Sequence, residues 1–492
     1  YDGNEGRFQS FSDIDQLFTT NVQGNEVFGA LSSEVQGAAD LTSNLNPNTR
    51  LAELRGGLGI RPGSLAISDG QNTATIDISG AETIGDIKTL LEANPPEGEP
   101  PTGRTVTVTI TATGLNIQLN GFSGAGLTIK EVGGGTTAAE LGILSEAGVG
   151  AGPVLGGDLN PILTKTTLLA DLPFALDQNS GLQITNGGST YVIDFASALT
   201  VEDVLNKLNG SPAGVLAEIN AAGTGINIRS RLSGTDFSVG ENGGSTATQL
   251  GVRSFAAATR LENLNHGFGV HSSAGDDFQI RLKNGTLLSF DVSAASTVGD
   301  VISLINAAGA GQVTAQLSTF GNGIELLTSD TSTAAQFAVL KVHGSQTAED
   351  LGLIPKGQDT SAAPVVAGGV ETITGRDVNP LEAKGVFNSL IRLRDALRND
   401  DLLQISRSVE LLDDAVLDLN FARAELGARQ QGLDVLSSRL ESEQINLEDV
   451  LSQEIDVDFV DAVSQLTARQ ASFQASLQLA AKTFNLTLLD YL

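Results

Sequence analysis

Thr83-Ile-Gly-Asp86 is the stretch on which the fold depends, because it returns as Thr200-Val-Glu-Asp203 and Thr297-Val-Gly-Asp300. A Thr followed three residues later by an acid predicts a helix start, since both side chains satisfy free backbone N–H groups. In each copy, apolar residues follow at i, i+3 and i+7: Ile84, Ile87 and Leu91; Val201, Val204 and Leu208; Val298, Val301 and Ile305. The pattern predicts three short helices, each with one buried face.

Each helix lies inside a longer segment that occurs three times between about residues 46 and 355. The segments open with Thr49-Arg-Leu-Ala-Glu-Leu54, Thr167-Leu-Leu-Ala-Asp-Leu172 and Thr259-Arg-Leu-Glu-Asn-Leu264. After each helix, a strand is predicted to begin at Gly114-Leu-Asn-Ile117, Gly225-Ile-Asn-Ile228 or Gly323-Ile-Glu-Leu326. A capped turn stopped by Gly closes each copy: Thr137 to Ile143, Thr246 to Val252 and Thr347 to Leu353. Each copy is therefore predicted to be a domain-sized β-hairpin, helix, β-hairpin module.

The predicted fold class is α+β, with three such modules and long C-terminal helices resembling a coiled coil. We call the modules block one (46–157), block two (158–254) and block three (255–355). The remaining predicted segments are an N-terminal shoulder beside the helical rod (1–45), a linker back to the rod (356–384), a rod helix (385–454) and a terminal assembly helix (455–492).

Composition excludes several classes of function. The 492 residues contain 28 Lys plus Arg and 58 Asp plus Glu, a formal net charge of -30. Nucleic acid and anionic membrane surfaces would repel such a chain. It has no Cys, Met or Trp, which excludes disulfides and thiolate chemistry. It lacks the run of roughly 20 apolar residues that a membrane span needs. Because the sequence opens at Tyr1 without an initiator Met, we expect either a processed chain or, preferably, a fragment that lacks its true N-terminus.

The C-terminal region carries an apolar heptad pattern. Val409 to Leu451 alternates steps of three and four, with Leu at every d position and polar residues at four successive a positions. Ile455-Asp-Val-Asp458 interrupts it, and a similar stripe continues to the chain end. No other sequence segment predicts a helix long enough to cover both stripes, although heptad helices usually pack inside their own protein. We expect an assembly interface, formed by Val409, Leu412, Val416, Leu419, Leu426, Leu433, Leu440, Leu447, Val463, Leu466, Phe473, Leu477, Phe484 and Leu488.

The same region resembles a known family. The matching runs are Ala422-Arg-Ala-Glu-Leu-Gly-Ala-Arg-Gln-Gln431, Glu443-Gln-Ile-Asn-Leu447, Asp456-Val-Asp-Phe459, Gln470-Ala-Ser-Phe-Gln-Ala-Ser-Leu477 and Leu488-Leu-Asp-Tyr-Leu492. They resemble the C-terminal signature of the flagellin family. The Asp-Tyr-Leu ending is more like the hook-filament junction proteins, of the hook-associated protein 3 type, than filament flagellin. The three blocks resemble the flagellin hook IN motif, and residues 1–7 and 21–28 resemble the segment that follows the family's N-terminal helices. The resemblance therefore implies that the preceding N-terminal helices, which would pair with residues 385–492, are missing.

The resemblance implies a structural subunit of the bacterial flagellum, exported by the flagellar secretion apparatus and located outside the cell. Implied partners are copies of itself, flagellin, another hook-associated protein and an export chaperone, with no nucleic acid and no membrane. Filament flagellin is an alternative within the same class. An extracellular adhesin or hydrolase that carries the same modules is an alternative from another class.

Catalytic chemistry has little support in the sequence. His266 and His271 could form a metal-binding pair, but two solvent-exposed histidines without a third ligand are the favoured interpretation. His343 stands alone. Gly133-Gly-Gly-Thr136 lacks the Lys of a phosphate-binding loop and predicts a flexible turn. We therefore expect no enzyme activity, no cofactor and no metal.

Overall fold

The structure is a computed structural model. It describes residues 6–13, 16–28, 32, 34–98, 101, 103–121, 126–150, 153–232, 236–342, 344–382, 385–455 and 458–489. Two compact units are present among the described residues, one formed by residues 24–417 and the other by residues 6–23 together with residues 418–489. Each unit mixes helices with antiparallel strands, and the predicted α+β class is confirmed.

The chain begins with a small hairpin and one helical turn. The elements are β1 (Gln9–Asp13), β2 (Gln16–Thr19) and α1 (Gly24–Phe28). β1 and β2 pair antiparallel with each other.

Block one has the predicted hairpin, helix, hairpin order, followed by two strands that the pattern did not predict. Its elements are α2 (Leu54–Gly57), β3 (Ser64–Ser68), β4 (Thr73–Asp77), α3 (Ile84–Ala93), β5 (Thr105–Ile110), β6 (Leu115–Asn120), β7 (Leu127–Glu131), α4 (Thr137–Glu140) and β8 (Ser145–Val149). β7 returns to pair with β3 and makes a four-stranded sheet in the order β4-β3-β7-β8. The helix α3 and the β5–β6 hairpin enclose a core with this sheet.

Block two repeats this arrangement. Its elements are β9 (Leu182–Asn186), β10 (Ser189–Ile193), α5 (Val201–Asn209), β11 (Val215–Ile219), β12 (Ile226–Ser230), β13 (Asp236–Asn242) and α6 (Thr246–Gln249). The returning strand is β13, which pairs with β9.

Block three follows with the same order of hairpin, helix and returning strand. Its elements are β14 (Phe278–Arg281), β15 (Leu287–Phe290), α7 (Val298–Gly309), β16 (Thr314–Leu317), β17 (Phe320–Gly321), β18 (Ile324–Thr328), β19 (Ala338–Lys341) and α8 (Thr347–Asp350). Here β19 returns to β14.

The predicted capping of the three main helices is confirmed. Thr83, Thr200 and Thr297 each accept a hydrogen bond from the backbone N–H of the acid three residues later, and that acid accepts one from the Thr backbone. Hydrogen bonds from Ser296, together with those of the Thr297 cap, lower the pKa of Asp300 to about 2. The apolar residues that follow each cap are buried, as the spacing predicted.

The short closing helices differ from the prediction at their N-termini. The glycines that end them have positive φ: Gly142 (67°), Gly251 (69°) and Gly352 (77°). The Thr residues do not cap, since Thr137 donates instead to the carbonyl of Arg61 at 3.3 Å. In blocks one and two, a glutamate on the returning strand accepts the free N–H groups in their place, as in the 2.8 Å bond from Ala139 N to Glu131 and the 3.0 Å bond from Ala247 N to Glu241.

Residues 32–41 complete block two, although the prediction placed them in a shoulder beside the rod. Val35 forms a bridge to Ile228, and Leu41 N donates to Thr224 O at 2.7 Å. Both apolar side chains lie in the core of block two. In block one the equivalent contact is internal, since Val154 bridges to Ile117. Block one is therefore inserted between the closing strand of block two and the rest of that block.

Residues 356–384, predicted to be a linker, supply the closing strand of block three. This segment contains β20 (Val365–Ala367), β21 (Val370–Thr374) and β22 (Leu381–Glu382). β21 pairs with β18, and Ile373 and Val378 are buried in the core of block three. The segment is ordered because its apolar residues complete that core.

Blocks two and three share a sheet. β17 of block three pairs with β13 of block two, giving the order β10-β9-β13-β17, and β22 also pairs with β13. Next to this shared sheet, the buried Arg253 side chain donates to Ser318 O at 2.7 Å and to the side chain of Asn322 at 3.2 Å. Asn322 also donates to Asp377, whose pKa is raised by burial. These buried contacts fix the two blocks to each other.

Three helices end the described chain. They are α9 (Val386–Arg398), α10 (Leu402–Ile455) and α11 (Phe459–Leu489). The helix predicted over 385–454 is divided near Asp400, which has a φ of 51°. The predicted break between α10 and α11 is present, with Asp458 capping the next turn through its 2.9 Å contact with Val460 N.

Candidate assembly interface

The two long C-terminal helices are stabilised by local side-chain pairs. In α10, Arg439 pairs with Glu443 at 2.9 Å, one turn later. In α11, Gln465 donates to Asp461 at 2.9 Å across the same spacing. Such i, i+4 pairs contribute only about 0.2–0.5 kcal/mol each. Long helices in water usually need tertiary packing as well.

The predicted interface residues remain exposed on these helices. Twelve of the fourteen have exposed side chains, with exposed fractions between 39% for Leu433 and 75% for Phe484. They are Val409, Val416, Leu419, Leu426, Leu433, Leu440, Leu447, Val463, Leu466, Phe473, Leu477 and Phe484. Leu412 is half-buried, and the side chain of Leu488 lies outside the described residues. An apolar surface of this extent is typical of a protein–protein contact.

The first turns of α10 bury a different face within unit 24–417. Ser408 and Ala415, which are seven residues apart, are buried, whereas Val409 and Val416 are exposed. The Ser408 hydroxyl donates to the carbonyl of Gln404 at 2.6 Å. Because the buried face consists of small and polar residues, hydrophobic periodicity gave no sign of it.

The hairpin β1–β2 adds apolar surface to the second unit. Phe8, Phe11 and Leu17 are exposed there, with exposed fractions of 54% to 71%. Arg429 of α10 donates to the carbonyl of Asn21, just after the hairpin. The sequence prediction did not include these three apolar residues. The heptad pattern lies only in the C-terminal helices, so it did not indicate the apolar residues of the hairpin.

A polar cluster joins distant segments of the first unit. The Glu382 carboxylate accepts from Arg407 at 2.7 Å and lies 2.6 Å from Nε of Arg392. Arg392 also pairs with Asp236, and His266 Nδ1 lies 3.4 Å from Glu382. Burial opposes ionisation of Glu382, but the hydrogen bond and positive charge of the arginines outweigh it and lower its pKa. Sequence reasoning missed this cluster.

The histidine predictions have mixed outcomes. His271 is exposed and bonds to Asp350 at 2.8 Å, as expected for a surface histidine. His266 is instead largely buried, and burial lowers its pKa. The two histidines have different partners, so the structure does not bring His266 and His271 together around a common group. His343 lies outside the described residues.

Three residues of the cluster could offer ligand atoms to a metal ion. The ligand atoms of Asp236, His266 and Glu382 lie within 4.8 Å of one another. Two guanidinium groups already neutralise the two carboxylates, and a cation would have to displace them. The arrangement therefore fits a structural ion-pair network better than a metal site.

None of the described helices combines the length and apolar character needed to cross a bilayer.

One comparison with known proteins supports a flagellar relationship. Residues 409–492 match the family model of the bacterial flagellin C-terminal helical region. The crystal structure of the flagellar cap protein FliD from Helicobacter pylori aligns at 11% identity over 73% of this chain and 97% of that chain. Its TM-score is 0.14, so the likeness carries no argument about fold or function. A search of curated proteins finds no match. The family-model match covers the two helices that carry the exposed apolar residues.

Proposed function

We propose that the chain is a structural subunit of the bacterial flagellum that joins the hook to the filament. One observation carries this proposal: within the segment that matches the flagellin C-terminal helical region, the heptad residues of α10 and α11 are exposed. The flagellin family is a family of structural proteins, so the proposed activity of this chain is assembly into a larger structure.

The proposed mechanism is burial of these apolar side chains when subunits polymerise. Fully burying a Val, Leu or Phe side chain contributes about 1.5–3 kcal/mol, and the interface contains many of them. Part of this free energy is needed to order the helices, so assembly and helix ordering are coupled. The polar a positions, Arg423, Gln430, Ser437 and Gln444, would favour one register and one partner.

The remaining segments have proposed roles in the same assembly. We assign the three blocks to outward-facing modules of the flagellin hook IN type, beside a rod formed by the C-terminal helices. Proposed partners are further copies of this chain, flagellin, a second hook-associated protein and an export chaperone. The subunit would act outside the cell after export.

Two substitutions test the interface, each with a matched control. Leu426→Asp in α10 and Phe473→Asp in α11 place a charge on the proposed interface. Ala428→Asp and Ala475→Asp add the same charge to exposed positions outside the heptad pattern. We expect the first pair to abolish incorporation into flagella, because an unpaired charge would be buried. The controls should incorporate normally, and circular dichroism should show folded blocks in all four variants.

Incorporation of both interface variants at the wild-type level would contradict the proposal. The position of labelled wild-type subunits tests the junction role separately. We expect label at one point between hook and filament. Label along the whole filament would instead identify a filament flagellin. Normal motility after deletion of the chain, together with loss of surface adhesion, would favour the adhesin alternative.

A further inference from the structure

The three blocks differ at one exposed pair of positions. The first position precedes the opening turn and bridges to the capping Thr, and its residues are Arg50, Leu168 and Arg260. The second position directly precedes that Thr and accepts a backbone hydrogen bond from the opening turn; its residues are Glu82, Leu199 and Ser296. Block two thus has leucine at both positions, where the other blocks have polar or charged residues.

Both leucines of block two are exposed. The exposed fraction is 46% for Leu168 and 73% for Leu199. A single exposed leucine is ordinary, but these two lie on paired backbone segments, since Leu168 bridges to Thr200, the residue after Leu199. The backbone is the same as in blocks one and three, so the fold does not require leucine at either position.

Leu199 also lines a groove. The groove has a volume of about 420 Å³, and its lining includes Leu169, Leu172, Pro173, Phe174 and Leu176. None of the residues lining it carries a charge. The groove at the same place in block one is lined by Arg50, Arg61 and Glu82 among others. An uncharged concave surface that is continuous with exposed leucines is typical of a site for an apolar side chain.

The segment around the groove is acidic. Residues 165–207 contain five carboxylates, Asp171, Asp177, Asp194, Glu202 and Asp203, and two lysines, Lys165 and Lys207, of which Lys207 pairs with Asp194 at 3.4 Å. Hydrogen bonds from Ser180 lower the pKa of Asp177, and those from Leu199 and Thr200 lower the pKa of Asp203, so both are ionised at neutral pH. A second copy of this chain, with its net charge of -30, would be repelled here. A basic partner would be attracted.

We propose that this groove of block two binds a basic segment of a partner protein, which inserts an apolar side chain flanked by Lys or Arg. The apolar side chain would contact Leu199 and Phe174, and the flanking cations would face the surrounding carboxylates. This proposal is independent of the helical interface, because the groove lies wholly within residues 169–199.

A tryptophan peptide can test the groove directly, because the full chain contains no Trp. The probe is Lys-Lys-Leu-Trp-Leu-Lys-Lys, and its control is the same peptide with Glu in place of Lys. At physiological ionic strength, we expect saturable binding of the basic peptide to the full chain. A blue shift of its fluorescence would report transfer of the indole to an apolar site. The acidic peptide should not bind.

A double variant assigns the binding to this groove. Leu168→Arg with Leu199→Glu gives block two the residues of block one and leaves the net charge unchanged. Both positions are exposed, so the fold should be retained. We expect the affinity for the basic peptide to fall about tenfold or more, since burial of apolar side chains is lost. The matched control, Arg50→Leu with Glu82→Leu, removes the charged pair of block one and should leave the affinity of the block two groove unchanged.

Three outcomes would overturn the proposal. The first is equal affinity of the wild type and the double variant, which would indicate binding to acidic surface in general. The second is equal binding of the basic and acidic peptides. The third is self-association of the wild type that the double variant abolishes, since that would identify a second copy as the occupant.

Discussion

At the scale of single residues, Glu382 is the most consequential side chain that the structure adds to the sequence analysis. It receives Arg392 from α9 and Arg407 from α10, and it lies near His266 from the opening turn of block three. The Glu382 side chain is 12% exposed, and those of the two arginines are 16% and 15% exposed. One carboxylate therefore holds the helical segment against the blocks within this unit.

We predict that Glu382→Gln destabilises unit 24–417. The substitution leaves two largely buried guanidinium groups without their shared carboxylate, and breaking a buried pair in this way costs about 3 kcal/mol or more. Urea unfolding followed by circular dichroism would measure the loss. Asp395→Asn is the matched control, because its pair with Arg394 is exposed and should contribute little. Equal unfolding midpoints for the wild type and Glu382→Gln would contradict this role.

The residue-scale predictions succeeded where the chemistry is local. The caps at Thr83, Thr200 and Thr297 need partners only three residues away, so the motif alone identifies them. The side-chain partners of Glu382 are spread over residues 266–407, and no local pattern links them. His266 shows the same limit, because its burial depends on a strand more than a hundred residues later.

At the scale of elements, α11 combines long regular hydrogen bonding with little tertiary contact. Its apolar side chains, including Leu466 and Phe473, are exposed, with exposed fractions of 57% and 65%. Helices of this kind open easily, since their stability depends on packing that a monomer does not supply. By contrast, α5 has four buried apolar side chains and a capping box at its start.

We predict that amide exchange distinguishes these two helices. In dilute monomer, hydrogen exchange followed by mass spectrometry should show fast exchange across residues 458–489 and slow exchange across residues 201–209. Polymerised subunits should show protection in both segments, because assembly buries the apolar stripe of α11. Full protection of α11 in the dilute monomer would show that its stability does not depend on assembly.

The elements also show why strand pairing was predicted less completely than helices. A helix is defined by contacts four residues apart, and its apolar period is visible in the sequence. The returning strand β7 alternates as well, with Leu127 and Ile129 buried, but its partner β3 lies some sixty residues earlier. The alternation of buried and exposed residues in β7 is visible in the sequence, but it does not indicate that β3 is the strand with which β7 pairs.

At the scale of the whole molecule, the segment that completes block two lies before block one in the sequence. The three closing segments have a common pattern, which begins with Val35, Val154 or Ile373 and has Gly two residues later. A Cβ at Gly37, Gly156 or Gly375 would collide with the backbone oxygen of Ile226, Leu115 or Ile324 respectively, so glycine is required at each. This pattern was present in the sequence and could have revealed that residues 32–41 close block two.

Block one should therefore be removable from the chain without loss of block two. Leu41 N donates to Thr224 O, and Leu163 N donates to Gly223 O, so the two ends of the insertion are held by adjacent peptide groups. Replacing residues 43–161 with Gly-Ser-Gly-Gly should span this short gap, since each linker residue reaches about 3.3–3.6 Å. We expect slow amide exchange across β9 and β12 to be retained in the shortened chain. A second change, Leu41→Asp, should abolish that protection in both the shortened and the full chain, because it places a charge in the core of block two. Retained protection in the Leu41→Asp chains would mean that residues 32–41 do not close block two in solution.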